Sequence, residues 1–284
     1  MQNHGVATGL ARRGRRLTDQ ETEEKMLEAA IAMVSRTGLT VGLDHISFEE
    51  IIHEADVSRS AAYRRWPYKD LFLFDLVKEL AKDATPTTIL KDETELMRRI
   101  VAEHLDWLET AENRHRLGIE LFRQLALIDY QAMYGSPRWR TYIALHATVV
   151  SLADGELRDQ VQAALADSER GRVARVAIAW EQLAGVFGYR LRPELGASFE
   201  TLATLLSASM HGLIVIAMSL PEVAAFSAQA SPFGTTAPAG WSLAGLGIAS
   251  IATAFLEPDP SIEWDAERVE NLRQALSSWV LAST

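Results

Sequence analysis

The chain has 284 residues, 48% of them hydrophobic, which is enough for one large folded domain or two of ordinary size. Its formal net charge is −10, and the absence of cysteine excludes disulfides, thiolate metal sites and cysteine nucleophiles. The first residues contain no apolar signal-peptide core, and the stretches 205–220 and 243–255 are shorter than the ~20 apolar residues of a spanning helix. We therefore expect a soluble, cytoplasmic protein with no membrane partner.

The charge is unevenly distributed along the chain. Residues 1–82 contain twelve Lys and Arg against thirteen Asp and Glu, so most of the acidic excess lies in the remainder. The basic residues of this first part cluster in residues 12–16 and 58–69. A basic face on an otherwise acidic protein directs that face towards nucleic acid and keeps the rest of the surface away from it.

The N-terminal segment, residues 1–17, is polar and contains four arginines and no acid. Residues 1–10 are typical of a disordered tail. The arginines follow as Arg12, Arg13, Arg15 and Arg16. A flexible Arg-rich arm of this kind can enter the narrow minor groove of DNA, where the potential is most negative. We favour this interpretation over a merely solvated tail.

A first helix is predicted to begin at Thr18, because Thr18 and Glu21 have the spacing of a capping box. Apolar residues then recur at helical spacing, and Gly38 is a natural helix end. We expect this helix to pack behind the segment that follows it.

Residues 47–71 have the pattern of two short helices joined by a tight turn. Ser47 and Glu50 form a second capping box, and apolar residues then recur at helical spacing. Asp56 interrupts the pattern, and Ser58 begins a second helix that is short and basic. This is the helix-turn-helix arrangement, which places its second helix in the major groove of DNA.

Over roughly residues 18–82 the chain resembles the tetracycline-repressor (TetR) family of bacterial regulators. The resemblance is carried by Ser47, Ile51, Ala55-Asp56-Val57-Ser58, Tyr63, Trp66, Lys69, Asp70 and Leu71, and by the run Arg64-Arg65-Trp66-Pro67. Two positions depart from the family pattern: Asp56 stands where the turn usually has Gly, and Ser60-Ala61 replaces a Gly/Pro-Thr pair. Asp adopts left-handed backbone geometry less easily than Gly but more easily than most residues.

The resemblance implies an all-α protein with an N-terminal three-helix helix-turn-helix DNA-binding domain and a larger α-helical ligand-binding and dimerisation domain. The corresponding division is a flexible basic arm over residues 1–17, the DNA-binding domain over 18–84 and the second domain over 87–284, with a boundary near Pro86. It also implies that the helix predicted over 68–83 transmits ligand effects to the DNA-reading part.

Candidate DNA-binding residues within the helix-turn-helix are assigned by their reach. Arg59 and Ser60 begin the recognition helix and are expected to reach base edges, where Arg can bind guanine O6 and N7. The neighbouring residues Tyr63, Arg64, Lys69 and Ser47 are better placed to contact phosphates. Ser58 is a further DNA-binding candidate. For Trp66 a packed anchor is favoured over a base-stacking residue, and for His53 a solvated side chain is favoured over a metal ligand.

From residue 87 onwards the sequence predicts helices and no sheet, because no stretch alternates with period two for long. The predicted helices span 92–111, 114–130, 137–153, 156–167, 170–189, 198–219, 239–256 and 265–282. Residues 222–240 are predicted as a long loop between two of them.

Several of these helices combine aromatic residues with single polar groups, which is typical of small-molecule pockets. The candidate ligand-binding residues are His104, Trp107, Glu120, Arg123, Trp139, Tyr142, His146, Trp180 and Phe187. For any one of them an ordinary core position with a polar edge is the stronger interpretation, and the expectation of a pocket rests mainly on the resemblance. No metal and no cofactor are expected.

Small residues dominate the predicted helices 198–219 and 239–255. Small faces allow helices to approach closely, and an uncharged face left exposed usually marks an interface. We therefore predict that these two helices build a two-fold dimer interface; the alternative is burial within one chain.

These observations together predict a homodimeric, sequence-specific transcriptional regulator rather than an enzyme. It is expected to repress from a palindromic double-stranded DNA operator and to be released when a small-molecule effector shifts the population of its conformations. One alternative is a helical protein-interaction module without specific DNA binding. Another is an enzyme on a helical scaffold, using a pair such as His104 and Glu120, but the sequence has no nucleophile motif, metal-ligand spacing or Gly-rich phosphate loop.

Overall fold

The computed structural model of the chain describes residues 17–37, 39, 46–82 and 91–281. The predicted DNA-contacting arm with Arg12, Arg13, Arg15 and Arg16 lies outside these residues, as do the predicted helix end at Gly38 and the predicted boundary at Pro86.

The described part of the chain is all-α, as predicted, apart from four three-residue strands. Its helices are α1 (Asp19–Thr37), α2 (Phe48–Glu54), α3 (Arg59–Arg65), α4 (Lys69–Lys82), α5 (Lys91–Glu103), α6 (Ala111–Gly135), α7 (Pro137–Ser151), α8 (Glu156–Val186), α9 (Phe199–Ser219), α10 (Pro221–Ala225), α11 (Leu243–Phe255) and α12 (Ala266–Leu281). Short 3-10 helices span Leu105–Leu108 and Pro193–Leu195. The strands are β1 (Tyr189–Leu191), β2 (Ala228–Ala230), β3 (Ala239–Trp241) and β4 (Leu256–Pro258).

The predicted capping box at the start of α1 is present in full. Glu21 N donates to Thr18 Oγ1 at 3.1 Å, and Thr18 N donates to Glu21 Oε2 at 2.8 Å. Two of the amide groups that a helix start leaves unpaired are thereby satisfied. The apolar face of α1 is buried through Met26, Ala30 and Val34, which fixes the helix behind α3 and α4.

The prediction that no sheet occurs is wrong. β1 pairs antiparallel with β4, with Tyr189 opposite Pro258, and β2 pairs antiparallel with β3, with Ala228 opposite Trp241. Strands of three residues are too short to show a period of two in the sequence. The β2–β3 pair and α10 occupy most of the predicted loop 222–240 and extend one residue beyond it at each end. β3 displaces the start of α11 to Leu243, where Ser242 is the N-cap.

One long helix, α8, replaces the two helices predicted over 156–167 and 170–189. No proline interrupts this stretch, and Gly171 is accommodated as an ordinary helical residue. Arg172 lies next to the predicted break between the two helices. Its guanidinium pairs with Glu169 at 2.6 Å and donates to Ser207 of α9 at 2.7 Å. These contacts hold the middle of α8 against α9.

The largest apolar core is continuous from α1–α4 into α6–α9 and α11. α4 packs on α8, and α1 packs on α7. A smaller core joins α5, α6 and α12 at the C-terminal end of α8, where Phe187 is buried with Leu117 and Val269. Helix α8 therefore contacts both cores and connects α4 with the smaller one.

Helix α9 has 21 residues and, by length and composition alone, is long and apolar enough to cross a membrane, which corrects the sequence prediction. One face packs in the core through Leu202, Leu206 and Ile214. A helix that buries one face in this way is typical of the core or an interface of a soluble protein. No other helix in the described part meets both criteria.

The two helices predicted to build a dimer interface differ in their exposure. The small residues of α11 are used within the chain: a Cβ on Gly245 would lie 3.3 Å from the Arg123 carbonyl oxygen, and one on Gly247 would lie 2.9 Å from Ser209 Oγ. Such close approach explains the glycines of α11. The outer face of α9 is exposed, so only α9 presents an apolar face to solvent.

Candidate DNA-reading surface and ligand cavity

The helix-turn-helix begins with two serine caps. Ser47 Oγ accepts from Glu50 N at 3.3 Å, and Ser58 Oγ accepts from Ala61 N at 3.2 Å. Between the two helices, the backbone of Asp56 has φ 51°, which is the left-handed conformation. This is the turn position at which the family usually has Gly, and Asp is among the residues that tolerate this conformation.

Trp66 ends α3 and is fully buried. Its ring packs edge-on against Phe48 of α2 and Phe72 of α4, with centroids 6.5 Å and 5.0 Å away. Its Nε1 donates to Asp75 Oδ2 at 2.9 Å. The prediction that Trp66 is a packed anchor is therefore confirmed, and the anchor fixes α3 on α2 and α4.

Four side chains are exposed on one short helix: Arg59, Ser60, Tyr63 and Arg64 of α3, which we call the reading surface. Glu49 of α2 contacts two of them. Its carboxylate pairs with Arg59 Nη2 at 2.7 Å and accepts from the Tyr63 hydroxyl at 2.9 Å. This hydrogen bond raises the pKa of Tyr63, so the hydroxyl stays protonated. Glu49 therefore orients both side chains and neutralises the Arg59 charge.

The other two arginines of α3 are held by acids of α1 and α4. Arg64 Nε donates to Asp19 Oδ1 at 2.8 Å, and Arg65 Nε donates to Glu23 Oε2 at 2.8 Å. Arg65 also pairs with Asp75 at 3.2 Å. Sequence reasoning missed Asp19 and Glu23, because their partners are more than forty residues away and only the fold brings them together.

The residues predicted to bind a ligand do not form a single site. His104 packs against Trp107 with ring centroids 4.2 Å apart, and its Nδ1 donates to the Ile100 carbonyl at 2.8 Å. Glu120 and Arg123 pair with each other, and Arg123 Nη1 donates to the Gly240 carbonyl at 3.0 Å. Hydrogen bonds from Arg123 and Gln124 outweigh burial and lower the pKa of Glu120.

Trp139, Tyr142 and His146 belong to a second group, on α7, which faces His211 of α9. The centroid of Trp139 lies 4.6 Å from Tyr142 and 4.4 Å from His211, and Tyr142 lies 4.2 Å from His146. Burial and the nearby Arg172 lower the pKa of His211 to about 4, so this imidazole is neutral at neutral pH. The group is tightly packed and is distinct from the cavity described next.

A cavity of about 130 Å³ lies between α6, the C-terminal end of α8, and α11. Trp180 and Phe187 line it and are the two predicted ligand-binding residues that do so. Gly118 of α6 also lines it, and a Cβ built on Gly118 meets no atom within 4 Å.

Two polar residues of this cavity, His115 and Tyr189, were missed by sequence reasoning. His115 Nε2 donates to the Phe233 carbonyl at 2.8 Å, and the Tyr189 hydroxyl lies 3.4 Å from His115 Nδ1. Burial raises the pKa of Tyr189. No local signal marks either residue, because they meet only through the pairing of β1 with β4 and the packing of α6. No group of three or more potential metal ligands occurs in the described part of the chain.

The chain matches no protein-family model and no curated protein at significant similarity. The resemblance to the TetR family therefore stays a prediction made from residues 18–82.

Proposed function

We infer that the protein is a cytoplasmic, homodimeric, sequence-specific transcriptional regulator of the TetR type. We propose that it acts as a repressor that leaves a palindromic operator when a small molecule binds its second part. The observation that carries this proposal is the short helix α3, which follows a left-handed turn at Asp56, is anchored by buried Trp66 and exposes Arg59 and Ser60 at its start. A helix held in this way is suited to entering a major groove.

Charge supports a role in DNA binding for α3. The helix carries three arginines and no acid, whereas the chain as a whole has a net charge of −10. Arg59 is the most exposed of the three, with 75% of its side chain accessible, so it is best placed to leave Glu49 and contact a base. Arg64 and Tyr63 lie farther along the helix and suit phosphate contacts.

The exposed face of α9 supports a dimer. Leu205, Ala208, Gly212, Val215 and Ser219 recur at spacings of three and four residues and are all exposed, so they form one stripe. Such an uncharged stripe on a packed helix suits self-association across a two-fold axis. A two-fold dimer would present two copies of α3 to the half-sites of a palindrome.

Helix α8 supplies a physical route from the cavity to the DNA-reading part. It has 31 residues and is therefore roughly 45 Å long. Trp180 and Phe187 near its C-terminal end line the cavity, and α8 also packs on α4. Asp75 of α4 is hydrogen-bonded to Trp66 of α3, so a shift of α8 would move the reading surface.

The test is a gel-shift titration of the purified protein on the DNA flanking its own gene, with unrelated DNA of equal length as competitor. Specific retention that survives excess competitor and physiological salt is the expected result. Retention that is equal on both DNAs and disappears at moderate salt would instead mean non-specific phosphate binding and would favour the protein-interaction alternative.

A further inference from the structure

The volume and the lining of the cavity between α6, α8 and α11 define the chemistry of the ligand that would fit it. Its volume of about 130 Å³ is close to the ~150 Å³ of an engineered cavity that holds one benzene ring. A fused-ring compound would therefore not fit without a change of the walls. The size indicates a ligand with a single six-membered ring.

The walls are mostly apolar and partly aromatic. Phe122 of α6 and Trp180 of α8 lie side by side with ring centroids 5.3 Å apart and planes tilted by 33°, and Phe187 adds a third ring. Aromatic walls favour an aromatic guest, through offset-stacked and edge-to-face contacts. The open space above Gly118 lies on the α6 side of the same cavity.

Two uncharged side chains of the lining, Tyr189 and Thr253, can offer hydrogen-bond acceptors to a ligand. His115 Nε2 must carry its proton, because its partner is the Phe233 carbonyl oxygen, which only accepts. In the neutral ring His115 Nδ1 is then an acceptor, which leaves the Tyr189 hydroxyl, 3.4 Å away, to donate to it. The Tyr189 oxygen is left as an acceptor. Thr253 likewise donates its own proton to the Ala249 carbonyl at 2.7 Å and presents oxygen lone pairs.

The charged groups at the cavity lining and beside it are already paired. Arg192 is the cationic side chain of the lining, and it lies 3.7 Å from Glu257 and 3.8 Å from Glu194. Arg190 also pairs with Glu257, at 2.8 Å. An anionic ligand would have to displace these carboxylates, and a cationic ligand would meet the arginines. The balance favours a ligand without charge.

We propose that this cavity binds an uncharged, single-ring aromatic alcohol or phenol whose hydroxyl donates a hydrogen bond to the Tyr189–His115 pair. Only the identification of this ligand as the effector rests on the proposed function, because binding to the cavity itself requires neither DNA nor a second protomer. The ligand would contact Trp180 and Phe187 directly, near the C-terminal end of α8.

Isothermal titration of the full-length protein with phenol, in the absence of DNA, tests the proposal. Phenol is expected to bind with a Kd of about 1 mM or below, within the affinity range open to so small a ligand. Benzoate, which has the same ring and a negative charge, is expected to bind at least tenfold more weakly. Undetectable binding of phenol, or binding of benzoate as tight as that of phenol, would overturn the proposal.

Variants at glycine positions locate the binding. Gly118→Leu would place a side chain in the cavity, and loss of phenol binding is expected. Gly185→Leu is the matched control, because Gly185 lies on an exposed part of α8 where an added Cβ also meets no atom within 4 Å. Gly118→Ala, the milder substitution, is expected to weaken the binding of phenol severalfold. It replaces the leucine variant in the test if that variant does not fold. Unchanged binding in a folded Gly118 variant would contradict the assignment.

Tyr189→Phe separates the hydrogen bond from the cavity. Removing the hydroxyl should weaken the binding of phenol by roughly two- to tenfold, the usual contribution of one hydrogen bond, and should leave the binding of toluene unchanged. Equal effects on phenol and toluene would refute the hydrogen bond. These titrations contain no DNA, so a failure of DNA binding would leave their outcome unaffected and the two proposals fail separately.

Discussion

The Trp66 indole nitrogen donates a hydrogen bond to Asp75 Oδ2 over 2.9 Å, which joins the end of α3 to α4. Asp75 also accepts from Arg65 and pairs with Lys78, so one carboxylate holds three neighbours. Burial alone would raise the pKa of Asp75, but the hydrogen bonds from Lys78 and Trp66, with the charges of Lys78 and Arg65, lower it below its ordinary value. This carboxylate therefore ties α3 to the rest of the fold.

Asp75→Asn should lower the free energy of unfolding by about 1–3 kcal/mol at neutral pH, because the partners of this half-buried carboxylate are left poorly satisfied. The contribution of a carboxylate with a lowered pKa is complete above its unfolded-state value of about 3.9 and is lost as the pH falls through the folded-state value. The difference between wild type and variant should therefore shrink below about pH 3.9. Urea unfolding at several pH values measures it, with Asp167→Asn as the control, because Asp167 is exposed.

Arg59→Ala should weaken operator binding by ~1–3 kcal/mol and relax the preference at a single base position, because Arg59 is expected to read a base edge. The measurement is fluorescence anisotropy on the operator and on its point variants. Arg170→Ala is a suitable control, since Arg170 is a similarly exposed, ion-paired arginine on α8. An equal loss on operator and random DNA would refute the base-reading role.

Glu49→Gln should tighten DNA binding. The Glu49 carboxylate neutralises Arg59 in the unbound protein and would lie near phosphates in the complex, so its charge opposes binding. Repulsion of about 1 kcal/mol at about 4 Å in water corresponds to roughly a fivefold gain when it is removed. Glu112→Gln, which removes an exposed carboxylate from α6, should have no effect. Weaker binding by Glu49→Gln would show that orienting Arg59 and Tyr63 is the more important contribution of Glu49.

Val215→Asp should convert the dimer to a monomer, because it places a charge in the centre of the exposed apolar stripe of α9. Light scattering after size-exclusion chromatography would give wild type twice the chain mass of 31.4 kDa and the variant a single mass. Val150→Asp is the matched control, since Val150 on α7 is also exposed, at 83%. A wild-type monomer, or an unaffected dimer in the α9 variant, would rule out this interface.

The features that the sequence predicts well are local ones. The caps at Thr18, Ser47 and Ser58 depend on residues three positions apart, and each is present. Burial of Trp66 is expected from the resemblance to the TetR family, and the residue is fully buried. Such short-range signals need no knowledge of the tertiary fold.

The features that the sequence does not predict depend on distant partners. The pairing of Tyr189 with Pro258 brings together two residues that are separated in the sequence by α9 and α11. The cavity combines Gly118 and His115 of α6 with Trp180 of α8, so no single segment carries its signature. The predicted ligand-binding residues Trp139 and His146 are an aromatic and a polar residue of the kind that line pockets. In the structure both pack against Tyr142, and neither lines the cavity between α6, α8 and α11.

The measurement that tests the account most directly is selection of random DNA duplexes on the purified full-length protein, followed by sequencing of the retained fraction. The account predicts enrichment of one palindrome whose half-sites are spaced for two copies of α3 in successive major grooves. Arg59→Ala should degrade the enrichment at one symmetric pair of positions. No enrichment, with retention that disappears at moderate salt, would contradict specific reading by α3 and leave the basic helix as a non-specific phosphate contact.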